Sequence, residues 1–155
     1  MSAPTQLEVV DRSAVSLLMF RVADELFALD LATVEEAVEL PELHGVPTRE
    51  HHLLGVVDWR GQLLPVYSPQ RVLGLECARD AVTLVVRSGA RLVGFAVDDV
   101  EDVLELEPSD IRPAPVRGVT EPILVGLVRH HGLLVAVLDP VALVQGCAIT
   151  SQEDS

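Results

Sequence analysis

The sequence predicts a mainly β protein made of two small five-stranded barrels, with a few short helices. Three observations lead to this fold class: short apolar runs bounded by turn residues, an internal repeat of those runs, and the length. The chain has 155 residues, enough for one domain or two very small ones. Its hydrophobic content is 49% but its aromatic content only 3%, so Val, Leu and Ala must build the core.

Nine runs have the composition of β-strands, and several are apolar on both faces, which is typical of strands in small closed barrels packed against other elements. Gly61, Gly89 and Gly132 lie where hairpins should turn. The nine predicted strands cover residues 17–22, 26–31, 55–57, 63–67, 82–87, 92–97, 103–106, 123–128 and 133–138.

Three short helices are predicted between these strands. Thr33 and Glu36 have the spacing of a capping box, and the apolar residues from 31 to 38 then share one face. The other two begin with a capping residue and a proline and end at a glycine: Ser68-Pro69 to Gly74, and Asp139-Pro140 to Gly146. The proline-rich residues 107–122 are predicted to form an extended connector.

The two halves of the chain repeat each other. Residues 55–69 align with 126–140, and residues 15–40 with 81–106, without gaps and in the same order. We therefore expect one domain over residues 14–147. It would comprise two repeated barrel subdomains, near 15–75 and 81–146, whose strands could be exchanged at the ends. Flexible tails are expected at residues 1–13 and 148–155.

Composition argues against several classes of function. A formal net charge of −13 disfavours nucleic acid and anionic membrane surfaces. The N-terminus lacks a signal peptide, and no apolar run could span a bilayer, so we expect a cytoplasmic protein without direct membrane insertion. Cys77 and Cys147 are expected to be free thiols. No catalytic motif, cofactor loop or metal-ligand spacing is found, which predicts a non-enzyme without cofactor or metal.

The hairpin GVVDWRGQLLPVY carries the most interactive side chains at its bend. Arg60 could donate hydrogen bonds to a partner's carbonyls or carboxylates, and Gly61 would let another chain approach closely. The alternative is an arginine that is merely solvated. Trp59 could fill the core or anchor an interface.

These motifs resemble the CheW-like family of chemotaxis coupling proteins. The resemblance covers about residues 14–146 and rests on LMFRVADELFALDLATVEEAVEL, GVVDWRGQLLPV and LVGFAVDDVEDVLELEPSDIRPAP. It implies two five-stranded barrels of the src-homology type around a hydrophobic centre, and no chemistry. It also implies two partners, the cytoplasmic tip of methyl-accepting chemoreceptors and the like-folded regulatory domain of a CheA-type histidine kinase.

The resemblance also implies site residues. Arg60-Gly61, Val34 and Glu36 would face the receptor, and Gly55, which matches the glycine before the Arg-Gly strand, is expected at the partner-binding surface with them. Structural glycines are expected at Gly94 and Gly126, which match family glycines used for tight barrel packing, and at the repeated turn residue Gly132. Asp58-Trp59 stands where the family usually has Asn-Leu, so these two residues are expected to bear on the choice of partner.

The function expected from these observations is a non-enzymatic adaptor in bacterial chemotaxis, within a two-component system. Two alternatives remain open at this point. The first is a CheW-like scaffold of a gliding, pilus or developmental pathway. The second is a module that binds a small molecule, favouring a cationic one, in the seam between the barrels.

Overall fold

The computed structural model describes residues 14–76, 78–113 and 123–148. The predicted tails (apart from residue 148), Cys77 and most of the proline-rich connector lie outside these ranges. No helix within them is both long and apolar enough to span a membrane. In chain order the strands and the α-helix are β1 (Val15–Val22), β2 (Glu25–Asp30), β3 (Val34–Glu39), β4 (Leu53–Trp59), β5 (Gln62–Tyr67), β6 (Val82–Ser88), β7 (Arg91–Val97), β8 (Asp99–Leu106), β9 (Leu124–His130), β10 (Leu133–Leu138) and α1 (Pro140–Cys147).

The strands form two five-stranded sheets of matching topology. Sheet A has the order β8-β1-β2-β10-β9, and sheet B the order β3-β6-β7-β5-β4. Neighbouring strands are antiparallel except for one parallel pair in each sheet, β2 with β10 and β7 with β5. Sheet A therefore combines β1 and β2 from the first half of the chain with β8, β9 and β10 from the second half. Sheet B combines β6 and β7 from the second half with β3, β4 and β5 from the first half. The sheets do not coincide with the sequence halves.

The prediction of closed barrels is wrong, because no ladder joins the two edge strands of either sheet within the described residues. In each sheet a single bridge instead links one edge strand to the segment that follows the other edge strand. In sheet B, His44 and Val56 exchange two backbone hydrogen bonds of 2.9 Å. In sheet A, Arg112 and Leu127 do the same at 2.9 and 2.7 Å. The mainly β prediction, with few helices, is confirmed.

Three apolar clusters explain why the strands are apolar on both faces. One cluster lies within sheet A and includes Leu17 and Met19, and a second lies within sheet B. The third and largest combines side chains from both sheets and from α1, among them Phe20 and Phe95. Strand β1 thus contributes alternate residues to two clusters, one on each side of its sheet. A strand buried on both sides needs apolar residues throughout.

The predicted helix over residues 31–38 is wrong. Residues Leu31–Thr33 form only a 3-10 turn, and β3 follows directly. Burial along β3 alternates with a period of two, so Val34, Glu36 and Val38 are less exposed than the residues between them. The expected capping box does not form, because the Thr33 hydroxyl donates to the Asp30 carbonyl instead. Pairing with β6 outweighed a local pattern that also suited a helix.

Of the other two predicted helices, one is confirmed and one is wrong. Helix α1 begins after Asp139, whose side chain accepts from the Val141 amide, but it continues through Gly146 to Cys147. Residues 70–74 form turns only. The Ser68 hydroxyl does not cap them and instead contacts the Asp80 carboxylate at 3.5 Å.

Two buried weak acids, Cys147 and Tyr67, are expected to make the fold sensitive to alkaline pH. Burial raises the pKa of the Cys147 thiol to about 12, and burial and the hydrogen bond to Glu50 raise the pKa of Tyr67 to about 12. The unfolded values are about 8.5 and 10. Because both folded pKa values are higher, this stabilisation is complete below about pH 8 and is lost as pH rises towards about 12.

Melting temperatures measured by circular dichroism should fall steadily above about pH 9. A constant melting temperature up to about pH 11 would contradict this expectation.

Candidate functional site

The site is built on the two-residue turn between β4 and β5. Trp59 pairs with Gln62, which leaves Arg60 and Gly61 as the central residues, with φ angles of +51° and +82°. Positive φ at both positions is the requirement of a type I′ hairpin turn. Glycine adopts this conformation freely, whereas holding a non-glycine residue there costs about 1–3 kcal/mol. Arg60 therefore occupies its position at the expense of stability.

The Arg60 side chain is held from two sides. Its Nη2 donates to Glu36 Oε1 at 2.6 Å, and its guanidinium carbon lies 4.6 Å from the centroid of the Trp59 ring. We call these three side chains the Arg60 clamp. An exposed ion pair contributes up to about 1 kcal/mol and an exposed cation–π contact about 0.5–1 kcal/mol. The Arg60 side chain is still 67% exposed, so the clamp orients it without covering it.

Strand β3 brings Glu36 to the hairpin through an irregularity. The ladder between β3 and β6 shifts register between Val34 and Glu36, which leaves Glu35 as the extra residue of a β-bulge. Glu35 accepts from Arg87 at 2.9 Å, while its neighbour Glu36 is directed to Arg60. Val34 is half-buried and packs against the cluster between the sheets. The structure thus brings Glu36, Trp59, Arg60 and Gly61 together, with Val34 two residues away along β3.

The second half of the chain repeats the turn but not the clamp. His131 and Gly132 have φ angles of +50° and +79°, close to those of the first turn. Glu101 at the equivalent bulge pairs with Arg21 at 3.3 Å, as Glu35 pairs with Arg87. The position of Arg60, however, is taken by His131, whose ring lies 4.0 Å from that of His130. The fold therefore requires the turn, and it does not require an arginine there.

Leu63 is an exposed apolar residue of the same hairpin that sequence reasoning missed. Its exposure of 72% is the highest among the large hydrophobic residues of the described part of the chain. It pairs with exposed Asp58 across the hairpin, on the strand that follows the turn. The signal that could have identified it is the β5 pattern, where Leu63 and Leu64 are adjacent and only one of them can face inward.

The glycines named in the sequence analysis lie at close contacts or in turns. A Cβ on Gly55 would lie 2.8 Å from the His44 carbonyl oxygen, and one on Gly126 would lie 2.6 Å from that of Arg112. These oxygen atoms belong to the two bridges described above, and Gly55 is buried beside the first of them. Gly94 packs against Thr83 at the parallel β5–β7 pair, with no room for a Cβ. Gly132 completes the second turn.

The chemistry available at this surface is that of binding. It offers guanidinium donors, a carboxylate, an aromatic ring and exposed Leu63 on a preformed hairpin. Across the described ranges, no three His, Cys, Asp or Glu side chains are grouped so that they could hold a metal ion. Cys147 is buried and unpaired.

Comparison with known proteins gives consistent results. The family model described as "CheW-like domain" matches residues 16–147. The chemotaxis protein CheW of Rhizobium meliloti is 32% identical over 102 residues, covering 64% of this chain and 66% of that protein. The CheW of Thermotoga maritima is 28% identical over 125 residues, covering 79% and 83%. The crystal structure of the scaffolding protein TtCheW from Thermoanaerobacter tengcongensis superimposes with a TM-score of 0.76 at 21% identity, over 83% of this chain and 86% of that one.

Proposed function

This chain belongs to the CheW-like family, and from that premise we propose that it couples methyl-accepting chemoreceptors to a CheA-type histidine kinase in bacterial chemotaxis. The family match over residues 16–147 and the chemotaxis relatives support a role as a non-enzymatic chemotaxis scaffold. It spans about two thirds of the length of its Rhizobium relative, so its partners are part of the proposal. Binding alone, without covalent chemistry, would be the mechanism.

The observation that supports a partner site most strongly is the oriented but 67% exposed guanidinium of Arg60, because the equivalent turn residue His131 has the same backbone conformation without that group. A residue in a strained backbone conformation, with an exposed side chain, contributes little to stability and is a candidate for function. Its ion pair with Glu36 is largely exposed and offsets that cost only in part. Arginine is also enriched among the residues that dominate binding energy at protein interfaces.

We assign the receptor contact to the surface around the Arg60 clamp. Arg60 and Glu36 supply polar specificity, and Gly61 allows close approach of the receptor backbone. Exposed Leu63, with half-buried Val34, supplies apolar contact for an amphipathic receptor helix. Asp58 and Trp59 flank the turn and adapt the surface to a particular receptor.

The kinase contact is assigned to an edge of one of the two sheets. A regulatory domain of the same fold presents equivalent sheets, and such surfaces can pack edge to edge. Residues 14–147 would act as one CheW-like domain of two subdomains, located in the cytoplasm and recruited to receptor arrays. The acidic net charge of −13 makes nucleic acid an unsuitable partner.

The alternatives are less well supported. The relatives named above are chemotaxis proteins, which does not favour a gliding, pilus or developmental pathway. A depression lined by residues of both sheets is largely apolar, with Val15, Val125 and Val141 among its lining residues, and Asp30, Asp139 and Arg87 also line it. The names of the relatives do not favour the small-molecule hypothesis either.

Binding to each partner separately tests the proposal. We expect the full chain to bind the cytoplasmic hairpin of a chemoreceptor from its own genome, and the regulatory domain of the kinase, in isothermal titration calorimetry. In a parallel thermal-shift screen, small molecules should leave the melting temperature unchanged, because only a ligand of the folded state raises it. Binding of neither protein, with a clear shift by a small molecule, would overturn the assignment.

A further inference from the structure

We propose that Trp59 is a positioning residue, which holds the Arg60 guanidinium in its partner-binding orientation before the receptor arrives. The inference rests on the proposed function and extends it to a residue at which the chain departs from the usual family sequence. Trp59 is the only tryptophan of the chain. It is half-buried, with its ring packed against the apolar cluster within sheet B.

The clamp restricts a side chain that would otherwise be mobile. A free arginine samples many rotamers, and fixing them on binding lowers affinity. Here the Trp59 ring, 4.6 Å from the guanidinium carbon, and the Glu36 carboxylate, 2.6 Å from Nη2, both act in the unbound protein. Because the ring belongs to a strand residue packed on the sheet, it offers a fixed surface for the guanidinium plane.

The clamp also leaves donors free for a partner. Within the described residues, Arg60 makes one hydrogen bond, from Nη2 to Glu36. A guanidinium has five N–H donors in a planar fork, and the remaining ones fit a carboxylate or a pair of backbone carbonyls. We therefore infer that the group received from the receptor is an acidic side chain or an exposed carbonyl at its helical tip.

The second hairpin provides the internal comparison. It has the same turn and an aromatic ring, His130, at the position equivalent to Trp59. It lacks the arginine, and Asp102 at the position equivalent to Glu36 hydrogen-bonds the Val103 amide instead. Removing an aromatic ring from the second hairpin should therefore affect the local packing only.

A double-mutant cycle on receptor binding tests the positioning role. Trp59→Leu keeps apolar bulk and removes the ring face, and we expect about twofold to fivefold weaker binding, the range of an exposed cation–π contact. In an Arg60→Ala background the same Trp59→Leu change should not weaken receptor binding any further, because there is no guanidinium left to orient. Trp59→Phe should restore most of the affinity, and His130→Leu should leave it unchanged.

Three outcomes would overturn the inference. In the first, Trp59→Leu weakens receptor binding as much in the Arg60→Ala background as in the native protein, which would mean that the ring contacts the receptor itself. It could leave affinity unchanged and lower only the melting temperature, which would mean that the ring acts only in packing. If the native chain fails to bind the receptor tip, the proposed function fails as well. The ¹⁵N relaxation of Arg60 Nε in the free protein separates these cases, since the clamp requires it to be rigid and Trp59→Leu to make it mobile.

Discussion

Arg60→Glu is expected to weaken binding of the chemoreceptor tip by at least about tenfold while the fold is retained. The substitution removes the guanidinium donors and places a second carboxylate beside Glu36, which now accepts a 2.6 Å hydrogen bond from Arg60. Asp58 adds a further negative charge on the preceding strand. A partner group that accepts hydrogen bonds from Arg60 would then meet like charge. Calorimetric titration of the receptor hairpin measures the change directly.

The second hairpin supplies matched controls for this prediction. His131→Glu places the same residue in a turn of the same conformation, and Arg129→Glu introduces the same change in net charge. Both should leave receptor affinity within about twofold, and all three variants should unfold within about 1 kcal/mol of the native chain. Equal loss of receptor binding in His131→Glu and Arg60→Glu would show that the effect is one of overall charge or turn stability.

Gly126→Ala is expected to lower the free energy of unfolding by about 2–3 kcal/mol, or the melting temperature by about 5–10 °C. The new methyl group would lie 2.6 Å from the Arg112 carbonyl oxygen and 2.9 Å from a methyl of Ile111. The first of these atoms belongs to the backbone bridge with Leu127, whose hydrogen bonds are 2.9 and 2.7 Å long. The bridge must therefore move or break. Urea unfolding followed by circular dichroism gives the free energy.

Gly45→Ala is the control for the glycine prediction. No atom of the described residues lies within 4 Å of a Cβ at Gly45, and its φ is not positive, so the change should alter stability by no more than about 0.5 kcal/mol. Gly55→Ala should behave like Gly126→Ala, because its Cβ would lie 2.8 Å from the His44 carbonyl oxygen. A Gly126→Ala protein as stable as the Gly45→Ala protein would show that the bridge can shift without lowering the free energy of unfolding.

The strands were predictable because burial on both faces leaves a strong local signal. All nine predicted strands are present: four are longer by one or two residues, two are longer by four, two are shifted at both ends and one has the predicted bounds. The repeat was also visible, and the burial patterns of β4 and β9 are identical residue for residue, as are those of β5 and β10. These features depend on composition and spacing, both of which the sequence displays directly.

What could not be predicted depends on contacts between distant residues. Strand β3 was taken for a helix because its Val and Glu spacing fits both periods, and only its pairing with β6 decides between them. The exchange of strands between the halves has no local signature, since either half could in principle supply β8 or β3 to a given sheet. The open edges of the sheets were missed for the same reason.

The candidate site was predictable in part. The Arg-Gly turn was identified from the residues of the hairpin, and Glu36 was added by the family resemblance. Their contact joins residues 24 positions apart and appears only once β3 lies beside the hairpin. The stacking of Arg60 on Trp59 likewise depends on the turn conformation. Gly55 was assigned to the partner surface by its position in the motif, and its burial at the His44 bridge appears only in the fold.

The most direct test of the adaptor role is whether both partners bind at the same time. A tagged kinase regulatory domain is mixed with the chemoreceptor hairpin, with and without this protein, and the complexes are analysed by size-exclusion chromatography with light scattering. We expect one complex that contains all three chains and that is lost with Arg60→Glu but kept with His131→Glu. Binding of only one partner at a time, each displacing the other, would contradict coupling by this protein.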